Sequence, residues 1–282
     1  MKIKKIIKDK LTKTIKEKVV IPSIEGHYLE NRCALITGGS SGIGYSIAES
    51  FLKNGATVII TGRNVEKLEN ARKNLIENCN CKEDRIYTGI LDILKVDAIE
   101  NSFIHITNQL NKRIDIFVNN AGVNGKTAFP LTPEEEYDTI LDTNLKGMYF
   151  MSQVIVNYMI NNKIQGNILN VTSSSSLRPG ISPYIISKWG ERSLTLGMAK
   201  KYLPFGIIVN GIAPGSTATP MLISDNENNL YCDHSPAKRF IAPEEIGNIA
   251  TILVSDLGKM IVGDTIYITG GAGIITYDDI EY

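Results

Sequence analysis

The stretch that decides the fold is TGGSSGIG, residues 37–44. It directly follows a short apolar run, Cys33–Thr37, and leads into a helical pattern over Ile43–Asn54. A strand, a glycine-rich turn and a helix form a cradle for a dinucleotide. Glycines let the backbone approach a pyrophosphate closely, and the helix N-terminus offers free N–H groups. A glycine pattern alone would be weak evidence, but this one lies in the first βα unit of the chain.

Outward from this turn, short runs rich in Val and Ile alternate with longer helical patterns. Strands are predicted at Cys33–Thr37, Thr57–Thr61, Arg85–Thr88, Ile114–Asn119, Gly166–Thr172, Ile207–Ile212 and Asp264–Ile268. Helices are predicted at Ile43–Asn54, Val65–Asn78, Val96–Asn111, Pro133–Asn162, Pro183–Tyr202 and Pro243–Val254. The strands are nearly continuous apolar runs, as expected when both faces of a sheet are covered. The alternation predicts an α/β fold, a single doubly wound Rossmann-type domain with a seven-stranded parallel sheet.

Composition agrees with a globular chain and narrows its partners. The 282 residues are 43% hydrophobic and 21% charged, and 30 Lys+Arg balance 30 Asp+Glu. A net charge of zero provides no field for gathering nucleic acid over the whole surface, so no nucleic-acid partner is expected. No apolar run approaches the roughly 18 residues of a membrane span. The four irregularly spaced cysteines are neither a disulfide framework nor a metal-ligand set, so we expect no metal site and a cytoplasmic location.

The first 31 residues differ in texture from the rest. Residues 1–18 carry eight lysines against Asp9 and Glu17. One helical face collects the apolar residues Ile3, Ile6, Ile7, Leu11 and Ile15. Such a basic amphipathic helix can pack on its own protein or on a neighbouring subunit, which we favour. It can also lie on an anionic membrane through residues 1–20, or dock on another partner. We therefore predict a basic N-terminal extension over 1–31 and one domain over 32–282.

The end of the second predicted strand bears on the choice of cofactor. In dinucleotide folds an acidic residue at this position binds the ribose 2′-hydroxyl of NAD. Gly62 occupies that position, and Arg63 follows it. A guanidinium group can pair with a 2′-phosphate. The sequence therefore predicts that NADP(H) is preferred, with NAD(H) as the alternative. A different interpretation of Arg63 is an exposed residue at the start of a helix.

A second pair of residues indicates acid–base chemistry. Tyr184 and Lys188 are four residues apart in a predicted helix, so both side chains lie on one face. A tyrosine with a pKa of about 10 is a poor base near neutrality, and a nearby ammonium group favours the phenolate. Tyr184 is therefore a candidate general acid and base. An ordinary amphipathic helix face is the alternative for an isolated Tyr–Lys pair.

Four motifs occur in an order that resembles the short-chain dehydrogenase/reductase family. The glycine turn has the spacing TGxxxGxG, and Asn119–Gly122 reads NNAG. Residues 184–188 fit YxxxK, and residues 214–219 fit PGxxxT. The resemblance extends from about Arg32 to the end of the chain and leaves out residues 1–31. It implies an NAD(P)-dependent oxidoreductase that moves a hydride between nicotinamide and a carbonyl/secondary-alcohol pair. A catalytically silent sensor or scaffold of the same fold is the alternative.

The resemblance also implies roles for individual residues. The expected catalytic group is Asn144, Ser173, Tyr184 and Lys188. Ser173, or its neighbour Ser174, would hydrogen-bond the substrate oxygen. Lys188 would hold the nicotinamide ribose. Asn144 would hold a water near Lys188 through its backbone carbonyl, or would simply kink its helix.

The expected cofactor contacts extend over most of the sheet edge. Asp92 resembles the aspartate that bonds the adenine amino group in the family, or is a turn residue. The full predicted set is Gly38, Ser40, Ser41, Gly42, Ile43, Gly44, Arg63, Asp92, Asn120, Gly122, Tyr184, Lys188, Gly215, Thr217 and Thr219. Residues 221–239, including His234, resemble the substrate-binding lid of the family. The resemblance further implies a homotetramer. Sugar, steroid, acyl-thioester and small ketone substrates all stay open.

Overall fold

The computed structural model describes residues 22–219, 230–233 and 235–275, and these form one parallel sheet of seven strands. The strands are β1 (Cys33–Thr37), β2 (Thr57–Gly62), β3 (Ile86–Ile90), β4 (Ile116–Asn119), β5 (Asn167–Val171), β6 (Ile208–Pro214) and β7 (Thr265–Ile268). Their spatial order is β3-β2-β1-β4-β5-β6-β7. This confirms the predicted doubly wound fold. The order reverses between β1 and β4, and a crevice for a ligand forms beyond the carboxyl ends of strands at such a point.

The helices cover both faces of the sheet. They are α1 (Gly42–Lys53), α2 (Val65–Cys79), α3 (Val96–Leu110), α4 (Glu134–Leu141), α5 (Met148–Asn161), α6 (Pro183–Tyr202) and α7 (Pro243–Val254). Because side chains alternate along a strand, β1 serves two cores at once. Ala34 and Ile36 pack in one core with α1, α2 and α7. Leu35 packs in the other with α3, α5 and α6.

The helix predicted over Pro133–Asn162 stays helical from Glu134 to Asn161, but its middle is not α-helical. Residues Asp142–Gly147 form a π-helical segment that separates α4 from α5. Asn144 explains the break, because its Nδ2 donates to the backbone oxygen of Val123 at 2.9 Å and its Oδ1 accepts from Val123 N at 2.8 Å. A π-helical turn at Asn144 agrees with the alternative interpretation, in which this residue distorts its helix.

Six of the seven strands differ from the prediction at a boundary, each by one or two residues. Arg85, predicted to open the third strand, belongs to a short 3₁₀ turn over Glu83–Arg85. Its guanidinium group donates to the backbone oxygen of Ala56 at 2.5 and 3.0 Å, which holds the residue out of the sheet. Strand β4 begins at Ile116 instead of Ile114.

Some predicted features lie outside the described residues. The basic helix over residues 1–18, His234 and most of the lid at 221–239 belong to this group. The described part of the lid ends in an antiparallel bridge between Tyr231 and Arg239. Within the ranges that the structure covers, no helix is long and apolar enough to cross a membrane. The same ranges contain no cluster of three His, Cys, Asp or Glu side chains suited to a metal ion.

Candidate active site

The glycine turn after β1 has the backbone that its sequence requires. Gly38 has φ +65° and Gly42 has φ +56°, a left-handed conformation that only glycine adopts without strain. Helix α1 then begins at Gly42. Within the described contacts, its N-cap residue Ser41 makes no side-chain bond to the first turn. The N–H groups at this helix end therefore stay available to an anionic ligand.

Residues after β4 fix the turn in place. The Asn120 amide donates to the backbone oxygens of Thr37 at 2.9 Å and Gly38 at 3.1 Å. The Thr37 hydroxyl accepts from the backbone N–H groups of Asn120 and Ala121 at 3.0 and 3.2 Å. These bonds join the carboxyl ends of β1 and β4, where the order of the sheet reverses. The turn is thereby held rigid on both sides of the crevice.

A cleft of about 420 Å³ occupies this crevice. It brings together twelve of the residues singled out in the sequence, namely Gly38, Ser40, Ser41, Gly42, Ile43, Arg63, Asp92, Asn120, Gly122, Tyr184, Lys188 and Thr219. They come from six separate segments of the chain, so the fold alone gathers them. A cleft of this size with converging polar groups is the expected form of a small-molecule site.

Five other predicted residues do not line the cleft. Gly44 lies where a Cβ would collide with the Asn120 amide. Thr217 is buried and donates to the Gly215 oxygen at 2.9 Å, which stabilises the turn after β6. Ser173 caps a short 3₁₀ helix, where its Oγ accepts from Ser175 N at 3.1 Å. Gly215 lies in the turn after β6, and Asn144 lies in the π-helical segment over Asp142–Gly147.

The far end of the cleft is cationic. Arg63 and Lys67 are both exposed and both line the cleft, with Arg63 just before α2 and Lys67 in its first turn. Asn64 caps α2 between them, its Oδ1 accepting from Lys67 N at 2.9 Å. Lys67 was missed in the sequence, although its i+4 spacing from Arg63 was the available signal. Asp92 also lines the cleft, and its carboxylate accepts from Leu94 N at 3.2 Å as a turn residue does.

Tyr184 and Lys188 lie at the opposite end of the cleft, on α6. Pro183 occupies the first helical position, and the Ser182 hydroxyl caps the helix by accepting from Ile185 N at 3.3 Å. Tyr184 therefore lies in the first turn. The Lys188 Nζ is 5.5 Å from the centre of the Tyr184 ring. The two side chains share one helix face, as their spacing predicts.

Lys188 has a buried partner that was missed in the sequence. Its Nζ donates to Glu191 Oε1 at 2.8 Å and Oε2 at 3.0 Å, and both side chains are almost fully buried. Burial by itself would lower the pKa of Lys188, but the charges of Glu191 and Tyr184 outweigh it and raise that pKa. Burial raises the pKa of Glu191 to about 7, against the lowering effect of Lys188. The i+3 spacing was the only sequence signal for this pair.

Together these observations define a class, an α/β protein with a glycine-rich turn and a polar cleft at the switch point of its sheet. The sequence profile of the family described as short chain dehydrogenase matches residues 32–230. The chain belongs to the short-chain dehydrogenase/reductase family. It is an NAD(P)-dependent oxidoreductase that acts on an alcohol/ketone pair.

Two relatives illustrate the range of the family. Gluconate 5-dehydrogenase of Gluconobacter oxydans (strain 621H) is 32% identical over 244 residues, covering 84% of this chain and 93% of the relative. The 3-oxoacyl-[acyl-carrier-protein] reductase of Thermotoga maritima is 32% identical over 247 residues, covering 86% of this chain and 98% of the relative. The two relatives are named for different substrates, so neither name fixes the substrate of this chain.

Solved structures with both cofactors are similar to this chain. The 3-ketoacyl-(acyl-carrier-protein) reductase of Brucella melitensis, complexed with NADH, has a TM-score of 0.77 at 29% identity and covers 87% of this chain and 100% of its own. An actinorhodin polyketide ketoreductase with NADPH has a TM-score of 0.78 at 25% identity, with coverages of 86% and 97%. Similarity alone therefore does not decide between the two nucleotides.

Proposed function

We propose that this oxidoreductase prefers NADP(H) and that Arg63 and Lys67 bind the 2′-phosphate. The observation that carries the proposal is the pair of exposed cations on the cleft wall, directly beyond Gly62. A carboxylate at the end of β2 would bind the ribose 2′-hydroxyl of NAD, and Gly62 offers none. Two cations on one wall of the cleft can share a phosphate that carries two negative charges.

The remaining predicted contacts fit a dinucleotide along the same cleft. The first turn of α1, with Ser40, Ser41 and Ile43, would hold the pyrophosphate. Asp92 would contact the adenine. Residues proposed for the nicotinamide half are Asn120, Gly122, Lys188 and Thr219, which line the cleft, and Gly215 and Thr217, which lie outside its lining. Gly44 supports this half indirectly, by letting the Asn120 amide approach α1.

The proposed reaction divides its work between cofactor and protein. A nicotinamide held in the cleft would supply or take the hydride at the carbonyl carbon. The Tyr184 hydroxyl donates a proton to the carbonyl oxygen during reduction, and the phenolate accepts one from the alcohol during oxidation. The Lys188 ammonium group stabilises that phenolate and holds the nicotinamide ribose. Ser173, with Ser174 as the alternative, would donate to the substrate oxygen. Asn144 would hold a water near Lys188 through its backbone carbonyl.

The proposed substrate has a carbonyl or secondary-alcohol group. It is either a small free molecule or an acyl group attached to a carrier. The names of two relatives make gluconate and 3-oxoacyl groups the first compounds to screen. Residues 221–239 would form the lid over this part of the site, because loops beside a rigid scaffold set specificity.

We also propose a homotetramer in the cytoplasm, built from a domain at 32–282 with an extension at 1–31. The four cysteines Cys33, Cys79, Cys81 and Cys232 are free thiols, which supports a reducing compartment. Residues next to the proposed boundary contact the domain, since Leu29 is fully buried and Asn248 donates to the Pro22 oxygen at 2.8 Å. These contacts support packing of residues 22–29 on the protein itself, while the basic stretch over residues 1–18 lies outside the described residues.

The deciding experiment is a fluorescence titration of the purified protein with NADPH and, separately, with NADH. We expect tighter NADPH binding, and a loss of about 10- to 100-fold in Arg63→Ala because a hydrogen bond to a charged group contributes about 1.5–3 kcal/mol. The control is Lys73→Ala, an exposed cation on α2 outside the cleft lining. Tighter NADH binding would contradict the preference, and binding of neither nucleotide would contradict the cofactor site.

A further inference from the structure

We propose that Glu191 is a positioning residue for the reaction, whose carboxylate holds the Lys188 ammonium group charged and in place beside the cleft. The proposal rests on the roles proposed above for Tyr184 and Lys188. Glu191 itself does not line the cleft. It acts through Lys188.

The geometry places Lys188 between Glu191 and the cleft. Both carboxylate oxygens of Glu191 accept from Nζ, at 2.8 and 3.0 Å. These two bonds leave the third ammonium hydrogen for the side of the cleft. On that side, Nζ is 5.5 Å from the Tyr184 ring centre and lies 3.8 Å from the position that a Cβ on Gly122 would take. The carboxylate therefore fixes where the ammonium group points.

Glu191 is itself held firmly by the fold. Tyr184, Lys188 and Glu191 lie at positions i, i+4 and i+7 of α6, one stripe of the helix. Thr195, four residues further, donates to the Glu191 backbone oxygen at 2.8 Å. The Asn170 amide on β5 donates to the Thr195 hydroxyl at 2.9 Å, which joins this stripe to the sheet. The carboxylate is thus fixed relative to the strands that form the crevice.

Apart from Tyr184, which acts on Lys188, few charged groups act on this buried pair. Only 8% of the Lys188 side chain and 2% of the Glu191 side chain are exposed. On the π-helical segment packed against α6, Asp142 and Lys146 pair with each other at 3.2 Å on the surface. The guanidinium group of Arg192, on α6 itself, lies over the rings of Trp189 and Tyr267. The charge that acts on Glu191 is therefore that of Lys188.

A buried ammonium group without a counter-ion loses its proton more easily, because burial disfavours the charged form. With Glu191 ionised, Lys188 stays charged through neutral and alkaline pH, consistent with its raised pKa. Without that carboxylate, Lys188 would become neutral within the alkaline range. It would then no longer support a phenolate at Tyr184 or hold a ribose through a charged hydrogen bond.

The first measurement compares urea unfolding of the wild type and Glu191→Gln between pH 8 and pH 10, without cofactor or substrate. In the variant, burial without a counter-ion lowers the pKa of Lys188 in the folded protein below its value in the unfolded chain. The free energy of unfolding therefore increases as the pH rises from the folded pKa to the unfolded pKa. We therefore expect the urea midpoint of Glu191→Gln to rise relative to wild type across this range. The rise should disappear in the double variant Glu191→Gln, Lys188→Met, because the titrating amine is gone.

The second measurement follows NADPH affinity over pH 7 to 10 by fluorescence. We expect wild type to change little and Glu191→Gln to lose about tenfold more affinity, as Lys188 loses its proton. Glu191→Asp, which keeps the charge, should follow wild type. The matched control is Glu49→Gln on α1, which removes a carboxylate paired with Lys53 at 2.9 Å outside the cleft.

Each result decides a separate point. A midpoint difference that does not change with pH would overturn the proposal, since the charge of Lys188 would then not depend on Glu191. The proposal would also be overturned if the urea midpoint of Glu191→Gln changes with pH as expected but its NADPH affinity equals that of wild type at every pH. The ion pair would then be purely structural. Failure of wild type to bind either nicotinamide nucleotide would instead be a failure of the proposed function, which the cofactor-free unfolding measurement does not share.

Discussion

At the residue scale, the proposed chemistry depends on one hydroxyl group, that of Tyr184. Replacing Tyr184 by Phe keeps the ring and removes the proton that the hydroxyl would transfer. General acid–base catalysis contributes about 10²- to 10⁴-fold, so we expect a fall in kcat of that order with the Kd for NADPH nearly unchanged. Steady-state kinetics on the best compound from the screen, together with NADPH titration, measure both quantities.

The matched control is Tyr149→Phe, because Tyr149 is about half exposed on α5 and outside the cleft lining. It should keep wild-type kcat. A Tyr184→Phe enzyme within threefold of wild-type kcat would contradict the assignment of the general acid and base.

The sequence predicts that Tyr184 and Lys188 form a pair, but it does not predict that Glu191 is their buried neighbour, for a physical reason. Spacing along a helix shows which residues share a face, but it does not show which face meets the sheet. Glu191 could as well have lain on a solvated surface, as most glutamates do. Only the docking of α6 buries it against Lys188. Lys67 was missed for a related reason, since only the cleft shows that it lies beside Arg63.

At the element scale, one ion pair connects the carboxyl end of the predicted lid to α7. Both oxygens of Glu245 accept from the Arg239 guanidinium group at 2.7 Å, and Oε2 also accepts from Ala242 N at 2.9 Å. The hydrogen bond from Arg239 is the largest of the causes that lower the pKa of Glu245. A lowered carboxyl pKa contributes stability above the unfolded pKa, and this contribution is lost as the pH falls through the folded pKa.

We therefore expect Glu245→Gln to be less stable than wild type at pH 7, by about 1 kcal/mol after allowing for solvent screening. The difference should shrink at pH 4, where the wild-type carboxylate begins to take up a proton. Urea unfolding at the two pH values measures it, with the neighbouring exposed Glu244→Gln as control. A difference that stays the same at both values would contradict the contribution of the charge.

Elements were predicted well where periodicity alone sets them and poorly where a side chain interrupts it. The strand interiors and the start of α6 at Pro183 agree with the sequence. The π-helical turn over Asp142–Gly147 depends on Asn144 bonding to Val123, a residue 21 positions away in the chain. Hydrophobic spacing continues across such a turn, so the sequence predicts a single long α-helix.

At the scale of the whole molecule, exposed apolar side chains support the proposed tetramer. Ile186 and Trp189 on α6 are about half exposed, and Phe129 and Leu131 are more exposed still. Apolar surface of this kind marks interfaces between subunits. We expect light scattering to give a mass of about four times 31.1 kDa.

The charge variant Ile186→Glu should lower that mass, because a carboxylate buried in an interface is costly. Its control is Lys200→Glu, which changes an exposed position on the same helix. A monomeric wild type would contradict the proposal, and so would an Ile186→Glu variant that assembles as the wild type does.

The parallel sheet could be predicted from apolar runs that alternate with helices, and the motifs at 37–44, 119–122 and 184–188 could be ordered along it. Their meeting in one cleft follows from the strand order. The identity of the substrate depends on side-chain directions in variable loops, which neither periodicity nor spacing encodes.

Trp189 gives the molecule a built-in optical reporter. It is the only tryptophan in the chain and directly follows Lys188. Its indole N–H donates to the Arg178 backbone oxygen at 2.8 Å, which fixes the ring between α6 and the loop after β5. All indole emission from the protein therefore arises beside the proposed catalytic pair. A reduced nicotinamide bound there would accept its excitation energy, so occupancy of the site can be followed in the unlabelled protein.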